Sequence, residues 1–305
     1  MKILVTGGAG FIGSHVVDIY IGAGHEVLVL DNLSSGIKAN INPQAKFVEL
    51  DLNDSQLKST IENFKPEVIN HHAAQINVRV SVDDPKLDAS INILGSLNLL
   101  ESLKSLPSVK KVIFASTGGA IYGDTDTIPT PEDFPAWPVS PYGIAKLTVE
   151  HYLYFYHHTH HLNYLALRYG NVYGPRQNPH GEAGVVAIFY NRAKAGQELI
   201  INGDGQQARD FVYVADVAHA NLLALDSPQV GSLNIGTAVM TNVNALTDKL
   251  VATLPTTPQV VHAPAKAGEQ QTSCLDYSKA QKLLGWQPQV SLEEGLQRTA
   301  EFFMS

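Results

Sequence analysis

Tyr142 and Lys146 stand four residues apart in Ser140-Pro141-Tyr142-Gly143-Ile144-Ala145-Lys146. On a helix that spacing puts both side chains on one face. A free tyrosine, with an ordinary pKa of about 10, is a poor base at neutral pH. A neighbouring ammonium and the cation of an oxidised nicotinamide both favour the phenolate. A phenolate so placed can take a proton from a substrate hydroxyl. Such pairs also arise by chance on helices, so the meaning of this one rests on what precedes it. Upstream, Phe114-Ala115-Ser116-Thr117-Gly118-Gly119-Ala120 closes an apolar run. Hydroxyls at a strand's carboxyl end face the ligand crevice of a doubly wound sheet. Thr117 is expected to hydrogen-bond the same substrate hydroxyl, with Ser116 the less favoured candidate.

A second cluster opens the chain. An apolar run leads into Gly7-Gly8-Ala9-Gly10-Phe11-Ile12-Gly13. Gly7 permits a tight turn, Gly10 lets the backbone approach a pyrophosphate, and Gly13 lets helix pack on strand. The helix N-terminus then offers its free N–H groups to the anion. The next apolar run ends at Asp31, 24 residues after Gly7 (31 − 7), the offset expected of a ribose-binding acid. A carboxylate there accepts from both ribose hydroxyls and repels a 2′-phosphate, so NAD is favoured over NADP. Asp51 and Leu52 close the third run at the depth of the adenine. His72, Ala73, Ala74 and Gln75 close the fourth, where small residues suit a chain passing close to the cofactor. A lone His72 is itself expected to be packed.

The elements that must position these groups alternate. Apolar runs over 3–5, 27–30, 47–50, 68–70, 112–115 and 164–168 read as buried parallel strands. Helices are expected over 10–23, 55–64, 87–104 and 141–160. That alternation predicts an α/β fold, a Rossmann-type doubly wound parallel sheet. After Asn171 the pattern loosens into short strands at 199–201 and 211–214 and helices at 185–195, 214–225 and 243–254. This reads as a smaller mixed α/β C-terminal substrate lobe. The expected division is 1–175 for the dinucleotide-binding domain and 176–305 for the substrate lobe, with chain crossing between them.

Composition narrows the classes. The chain has 305 residues, 44 % apolar and 16 % charged, as in ordinary globular enzymes. The net charge of −8 and the lack of a basic run argue against a nucleic-acid partner. One cysteine, Cys274, forbids an intramolecular disulfide, and no apolar stretch suggests a signal peptide or a membrane partner. A cytoplasmic location is the expectation. His157, His158, His160 and His161 share helical spacings but have no acidic or cysteine neighbour, so no metal site is expected. Tyr152, Phe155 and Tyr156 read as packing residues.

Five segments together carry a resemblance: TGGAGFIGSH at 6–15, DNLSSG at 31–36, HAAQ at 72–75, YGIAK at 142–146 and RYGNVYGPR at 168–176. With them the chain resembles the extended short-chain dehydrogenase/reductases. TGGAIYG at 117–123, GEAGVVAIF at 181–189 and RDFVYV at 209–214 are most similar to UDP-glucose 4-epimerases of bacterial type. The likeness spans nearly the whole chain, to LGWQP at 284–288 and SLEEG at 291–295. It implies NAD that stays bound, contacted by Gly7, Gly10, Phe11, Ile12, Gly13, Asp31, Asn32, Ser35, Gly36, Asn92, Tyr142, Lys146 and Gly170. It implies that Tyr142 takes the proton of the sugar 4-hydroxyl while C4 is oxidised, that the 4-keto sugar swings, and that it is reduced on its other face. It puts Asn171, Val185 and Arg209 near the diphosphate of a UDP-hexose, and implies a homodimer through the helices 87–104 and 141–160.

Within that resemblance, dehydratases carry Asp-Glu and decarboxylases keep Glu where this chain has Gly119 and Ala120. Neither residue can transfer a proton, so the chemistry is confined to the alcohol–ketone step. Two positions depart from the family pattern. Gln271 stands where an arginine is usual, and Asn202 where phenylalanine is usual. Arg209 is left as the main cationic partner of the phosphates. Ser273 falls at a pocket-wall position, and its small size would admit a 2-acetamido group. Alternatives are another nucleotide-sugar oxidoreductase, a uronate 4-epimerase of the same fold, or a non-catalytic NAD-binding or RNA-associated protein. The last kind typically lacks the tyrosine–lysine pair that this chain has.

Overall fold

The computed structural model describes residues 1–180, 184–265 and 270–305. Seven strands form one parallel sheet: β1 (Lys2–Thr6), β2 (Glu26–Asp31), β3 (Lys46–Glu49), β4 (Val68–His71), β5 (Lys111–Thr117), β6 (Asn163–Tyr169) and, after three strands of the smaller lobe, β10 (Gly231–Ile235). Their order is β10-β6-β5-β4-β1-β2-β3. Ile3, Leu4 and Val5 are fully buried, as a strand covered on both faces requires. The order reverses at β1, which has β2 on one side and β4 on the other, so the crevice beyond β1 and β4 is the switch point where ligand binds.

Helices cover both faces. On one, α1 (Phe11–Gly22) packs Val16, Val17 and Tyr20 against the sheet. On the other, α2 (Leu57–Phe64) buries Leu57 and Ile61 beside the next helical pair. Helix α3 (Val78–Asp83) precedes that pair, a single helix expected over 87–104. It is observed as α4 (Pro85–Ala89), a π-helical turn Ser90–Leu94 and α5 (Gly95–Leu103). Asp84 caps it by accepting from Leu87 N–H at 2.9 Å. A one-turn helix α6 (Gly118–Ile121) follows β5, and then comes α7 (Pro141–His160). Ser140 caps α7, Pro141 holds its first position, and His161 ends it at φ 56°.

Beyond Gly170 the smaller lobe begins. Strands β7 (Asn171–Tyr173), β9 (Ala208–Tyr213), β11 (Met240–Asn242) and β13 (Thr272–Ser273) make one small sheet. A separate parallel pair joins β8 (Leu199–Asn202) and β12 (Val260–Ala263). Helices α8 (Val185–Lys194), α10 (Val243–Val251) and α12 (Leu292–Met304) enclose a core around Phe189, Tyr190, Leu246, Leu296 and Phe303.

Not all of 176–305 belongs to that lobe. Helix α9 (Val214–Asp226) packs on α1, and β10 pairs with β6 as the sheet's edge strand. Helix α11 (Ser278–Leu284) and Trp286 also pack into the core on that face. The strand over 231–235 reads Gly-Ser-Leu-Asn-Ile, with only Leu233 and Ile235 as apolar signals, too short a run to separate from loop. Among the described residues no helix is long and apolar enough to cross a membrane.

Candidate active site

The glycine turn is built as its residue types demand. Gly7 N–H donates to Leu30 at 2.8 Å and Gly10 N–H to Gly7 at 3.1 Å, folding the chain back over the end of β1. Gly7 has φ 70°, and a Cβ there would lie 2.5 Å from the Ala73 nitrogen. A Cβ on Gly13 would lie 2.2 Å from the Gly7 carbonyl. No side chain caps α1 at Gly10, which leaves the amides of Phe11, Ile12 and Gly13 facing the crevice end of the helix.

Asp31 is buried and fixes the turn. One carboxylate oxygen accepts from Ala9 N–H at 3.0 Å, the other from Leu33 N–H at 2.9 Å. A Cβ on Gly36 would come within 2.8 Å of that carboxylate. Asn32 and Ser35 are exposed beside it, and Asn32 donates to Asp51 at 2.6 Å. The Leu52 side chain packs in the core against α5.

His72 stacks on Tyr169 at 6.3 Å, and burial brings its imidazole down to about 3, so it is neutral. Its Nε2 has no hydrogen-bond partner among the described residues. The backbone of 72–73 is what approaches Gly7. His71 is also neutral, brought down to about 3 by burial, and bridges Thr6 at 2.7 Å to Ser96 at 2.9 Å.

Gln75 and Asn92 are joined twice. Gln75 N–H donates to Asn92 Oδ1 at 2.8 Å, and Asn92 Nδ2 donates to the Gln75 carbonyl at 2.9 Å. Asn92 sits on the π turn, a local irregularity often found at functional sites. Both amides also donate to the buried carboxylate of Asp88, a residue that sequence reasoning missed. Its signal was present: 88 and 92 are four apart, on one helix face.

Tyr142 and Lys146 share the inner face of α7. The Tyr142 amide, an orphan donor of the first helical turn, is taken up by Ser81 Oγ at 3.2 Å. Lys146 Nζ donates to the Ala115 carbonyl at 2.9 Å and lies 5.9 Å from the Tyr142 ring centre. Burial brings the Lys146 ammonium down to about 8, with Asp88 and Glu150 holding it up. The Tyr142 phenol is pushed above its usual value by burial and by Asp88. In the chain alone both causes act against the phenolate, which the lysine and an oxidised nicotinamide together are expected to favour.

Ser116 Oγ donates to Glu150 at 2.5 Å, and Glu150 is held by Arg168 through its Nε and Nη2. Thr117, the next strand residue, points to the opposite side. A Cβ on Gly119 would lie 3.9 Å from Thr117 Oγ1, 3.6 Å from Asn171 Oδ1 and 3.8 Å from Ser273 Oγ. The structure thus brings three expected substrate residues around one bare glycine. Gly170, whose amide donates to Ile235 at 2.9 Å, joins β6 to β7 beneath them.

Other expected substrate residues lie further out. Val185 opens α8, and Asn202 ends β8, its carbonyl accepting from Gln207 at 3.0 Å. Arg209 donates to the carbonyls of Ala208 at 2.9 Å and Gln271 at 3.1 Å, and also to Gln270 at 2.5 Å. Residues 181–183, which open the segment 181–189 of the resemblance, lie outside the described residues. Tyr156 packs inside as expected, whereas Phe155 is exposed and Tyr152 sits at the margin of exposure.

A doubly wound sheet with a glycine-lined switch point and an acid closing its second strand is the frame of a dinucleotide-binding protein. The chain belongs to the NAD dependent epimerase/dehydratase family, whose model matches residues 3–236. It is 44 % identical to the UDP-glucose 4-epimerase of Mycolicibacterium smegmatis, over 99 % of this chain and 98 % of that one. Among solved structures it is similar to the UDP-glucose 4-epimerase of Thermotoga maritima with UDP-glucose, with TM-score 0.95, 51 % identity, and 99 % and 98 % of the two chains covered. It is similar also to the Thermus thermophilus UDP-glucose 4-epimerase in complex with NAD, with TM-score 0.95, 43 % identity, and 99 % of each chain covered.

Proposed function

We infer that this chain is an NAD-dependent nucleotide-sugar 4-epimerase that interconverts UDP-glucose and UDP-galactose, and that it also accepts their N-acetylated forms. The observation that carries the reading is the wall around the substrate hydroxyls. It has a tyrosine–lysine pair, Tyr142 half-buried and Lys146 buried, for the alcohol–ketone step and, at Gly119 and Ala120, no acid for elimination. Near-full-length likeness to enzymes of that name supports it.

The residues present fit NAD: the turn at Gly7 and Gly13 has no room for side chains, and Asp31 is held where a ribose would meet it. Gly7, Gly10, Phe11, Ile12 and Gly13 would hold the pyrophosphate. Asp31, Asn32, Ser35 and Gly36 would hold the ribose, with Asp51 and Leu52 at the adenine. His72 to Gln75, Asn92 and Gly170 would line the remainder. When bound, NAD supplies a hydride acceptor, and then a donor, for C4 of the sugar. Tyr142 takes the proton of the 4-hydroxyl, and Thr117 hydrogen-bonds that same oxygen. The phenol, pushed up by burial, becomes a base only when positive charge lies beside it. Asn171, Val185, Asn202, Arg209, Gln271 and Ser273 hold the nucleotide and sugar while the keto sugar turns over. Residues 1–175 with 214–235 form the cofactor half, and most of the rest forms the substrate lobe.

The chain works as a cytoplasmic homodimer in this reading, paired through α4, the π turn and α7, which expose Leu87, Leu94, Ile144 and Phe155. Light scattering tests the dimer. The function is tested by incubating purified protein with UDP-glucose, UDP-galactose and their acetamido forms without added cofactor. Interconversion without net NADH is the expected result. Net NADH would instead favour an oxidoreductase, and inactivity with NAD retained would favour a non-catalytic protein.

A further inference from the structure

We propose that Asp88 is a positioning residue for the reaction: a buried carboxylate, held by Gln75 and Asn92, on the helix that packs against the one carrying Tyr142 and Lys146, and acting through those two side chains.

Asp88 is 1 % exposed, while its neighbours Asp84 through Leu87 all face solvent. Its Oδ1 accepts from Gln75 Nε2 at 2.8 Å and Asn92 Nδ2 at 2.9 Å. Among the described residues no cation lies within ion-pair distance of it. Two neutral amides replace a carboxylate's water shell poorly, so this arrangement is costly for folding alone. Helix α4 packs on α7, which brings the charge towards the proposed base. The other buried anion near the pair, Glu150, is forked by Arg168 and so largely compensated. Glu150 still raises Lys146, but of the two only Asp88 raises both Lys146 and Tyr142.

That field has a definite sign. A negative charge raises the phenol of Tyr142 and the ammonium of Lys146 together, and both groups carry that contribution from Asp88. The other groups facing them do not mimic it. His71 and His72 are neutral, and Arg79, Asp83, Asp84 and Lys86 lie on exposed faces. Burial pushes the Asp88 carboxyl up, and Gln75, Lys146 and Asn92 draw it back.

The inference rests on the reading of Tyr142 as the base, so the epimerase is assayed with Asp88→Asn and Tyr142→Phe side by side across pH. Removing the charge at 88 moves both limbs of the kcat profile to lower pH. The ratio of kcat at pH 9 to kcat at pH 7 falls about threefold or more. Asp88→Glu keeps the charge and keeps the limbs where the native enzyme has them. A profile for Asp88→Asn that is lowered in height with unmoved limbs overturns the proposal. If the amide packs badly, Asp88→Ser, with room for a water on Gln75 and Asn92, is read in the same way. Failure of both to fold assigns the carboxylate to stability alone and also overturns it. A fully active Tyr142→Phe would instead sink the reading of the base itself.

Discussion

Lys146 Nζ hangs from the carbonyl of Ala115 at 2.9 Å, two residues before the strand ends at Thr117. The proposed proton-handling helix is thereby tied to the strand carrying the second hydroxyl. Lys146→Met, which removes both charge and tether, should lower kcat by about 10²-fold or more while NAD still co-purifies. The same variant tests the electrostatics. Burial brings the ammonium down to about 8, so from pH 8 to 10.5 the unfolded chain holds more protons at this group than the folded one. The native protein should gain stability relative to Lys146→Met across that window. Paired thermal melts at pH 7, 8 and 10 measure it, and an opposite slope would refute the assignment.

Arg168 and Glu150 form the deepest ion pair described, each side chain 8 % exposed, with an Nη2–Oε2 distance of 2.7 Å. Arg168 also donates to Tyr122 at 2.8 Å and to the Glu132 carbonyl at 3.3 Å, tying the loop after β5 to the sheet. Arg168→Met should destabilise the protein by roughly 3–5 kcal/mol, because Glu150 is left charged and buried. The double variant with Glu150→Met should recover part of that loss. Urea titration of the three proteins decides it.

The strands were legible because each of the first six is an apolar run bounded by glycine, proline or polar residues, as at residues 3–5 and 164–168. Helix 141–160 was legible from its cap, Ser140-Pro141. What escaped was whatever depends on distant chain. Leu233 and Ile235 look like loop residues until β6 lies beside them. Asp88 looks like one more surface acid until Gln75 and Asn92 turn towards it. The protonation of Tyr142 depends on its burial, a quantity that spacing does not contain. Gly119 was read as a missing acid, and its place among Thr117, Asn171 and Ser273 needed three separate elements to converge.

Gly7 and Gly24 both have positive φ, 70° and 82°, but differ in what surrounds them. An added Cβ meets the Ala73 backbone at Gly7 and nothing within 4 Å at Gly24. Gly24→Ala should cost only about 1–2 kcal/mol of backbone strain and leave activity intact. Gly7→Ala should abolish NAD retention. Absorbance of the purified proteins at 260 nm, read beside their melting temperatures, separates the two.

Ser273 is buried, and its hydroxyl borders the bare face of Gly119. Ser273→Tyr should abolish turnover of the acetamido sugars and spare the hexoses. Gly119→Ala adds a methyl at ordinary contact distance, so it should fold normally and raise KM several-fold without a matching loss of kcat. Equal loss of both sugar classes in Ser273→Tyr would remove that side chain from the specificity argument.

The return of the chain to the large sheet governs the order in which it can mature. Tyr20 donates to the Asn221 carbonyl at 3.2 Å, and Asn70 donates to the Asn221 side chain at 2.8 Å. Until Asn221 and β10 have been synthesised, β6 is an open edge and both side chains lack that shared partner. A nascent polypeptide of 175 residues therefore cannot close its dinucleotide half: the ribosome must deliver roughly sixty more before the sheet has its last strand, and the chain through Trp286 before that core is complete.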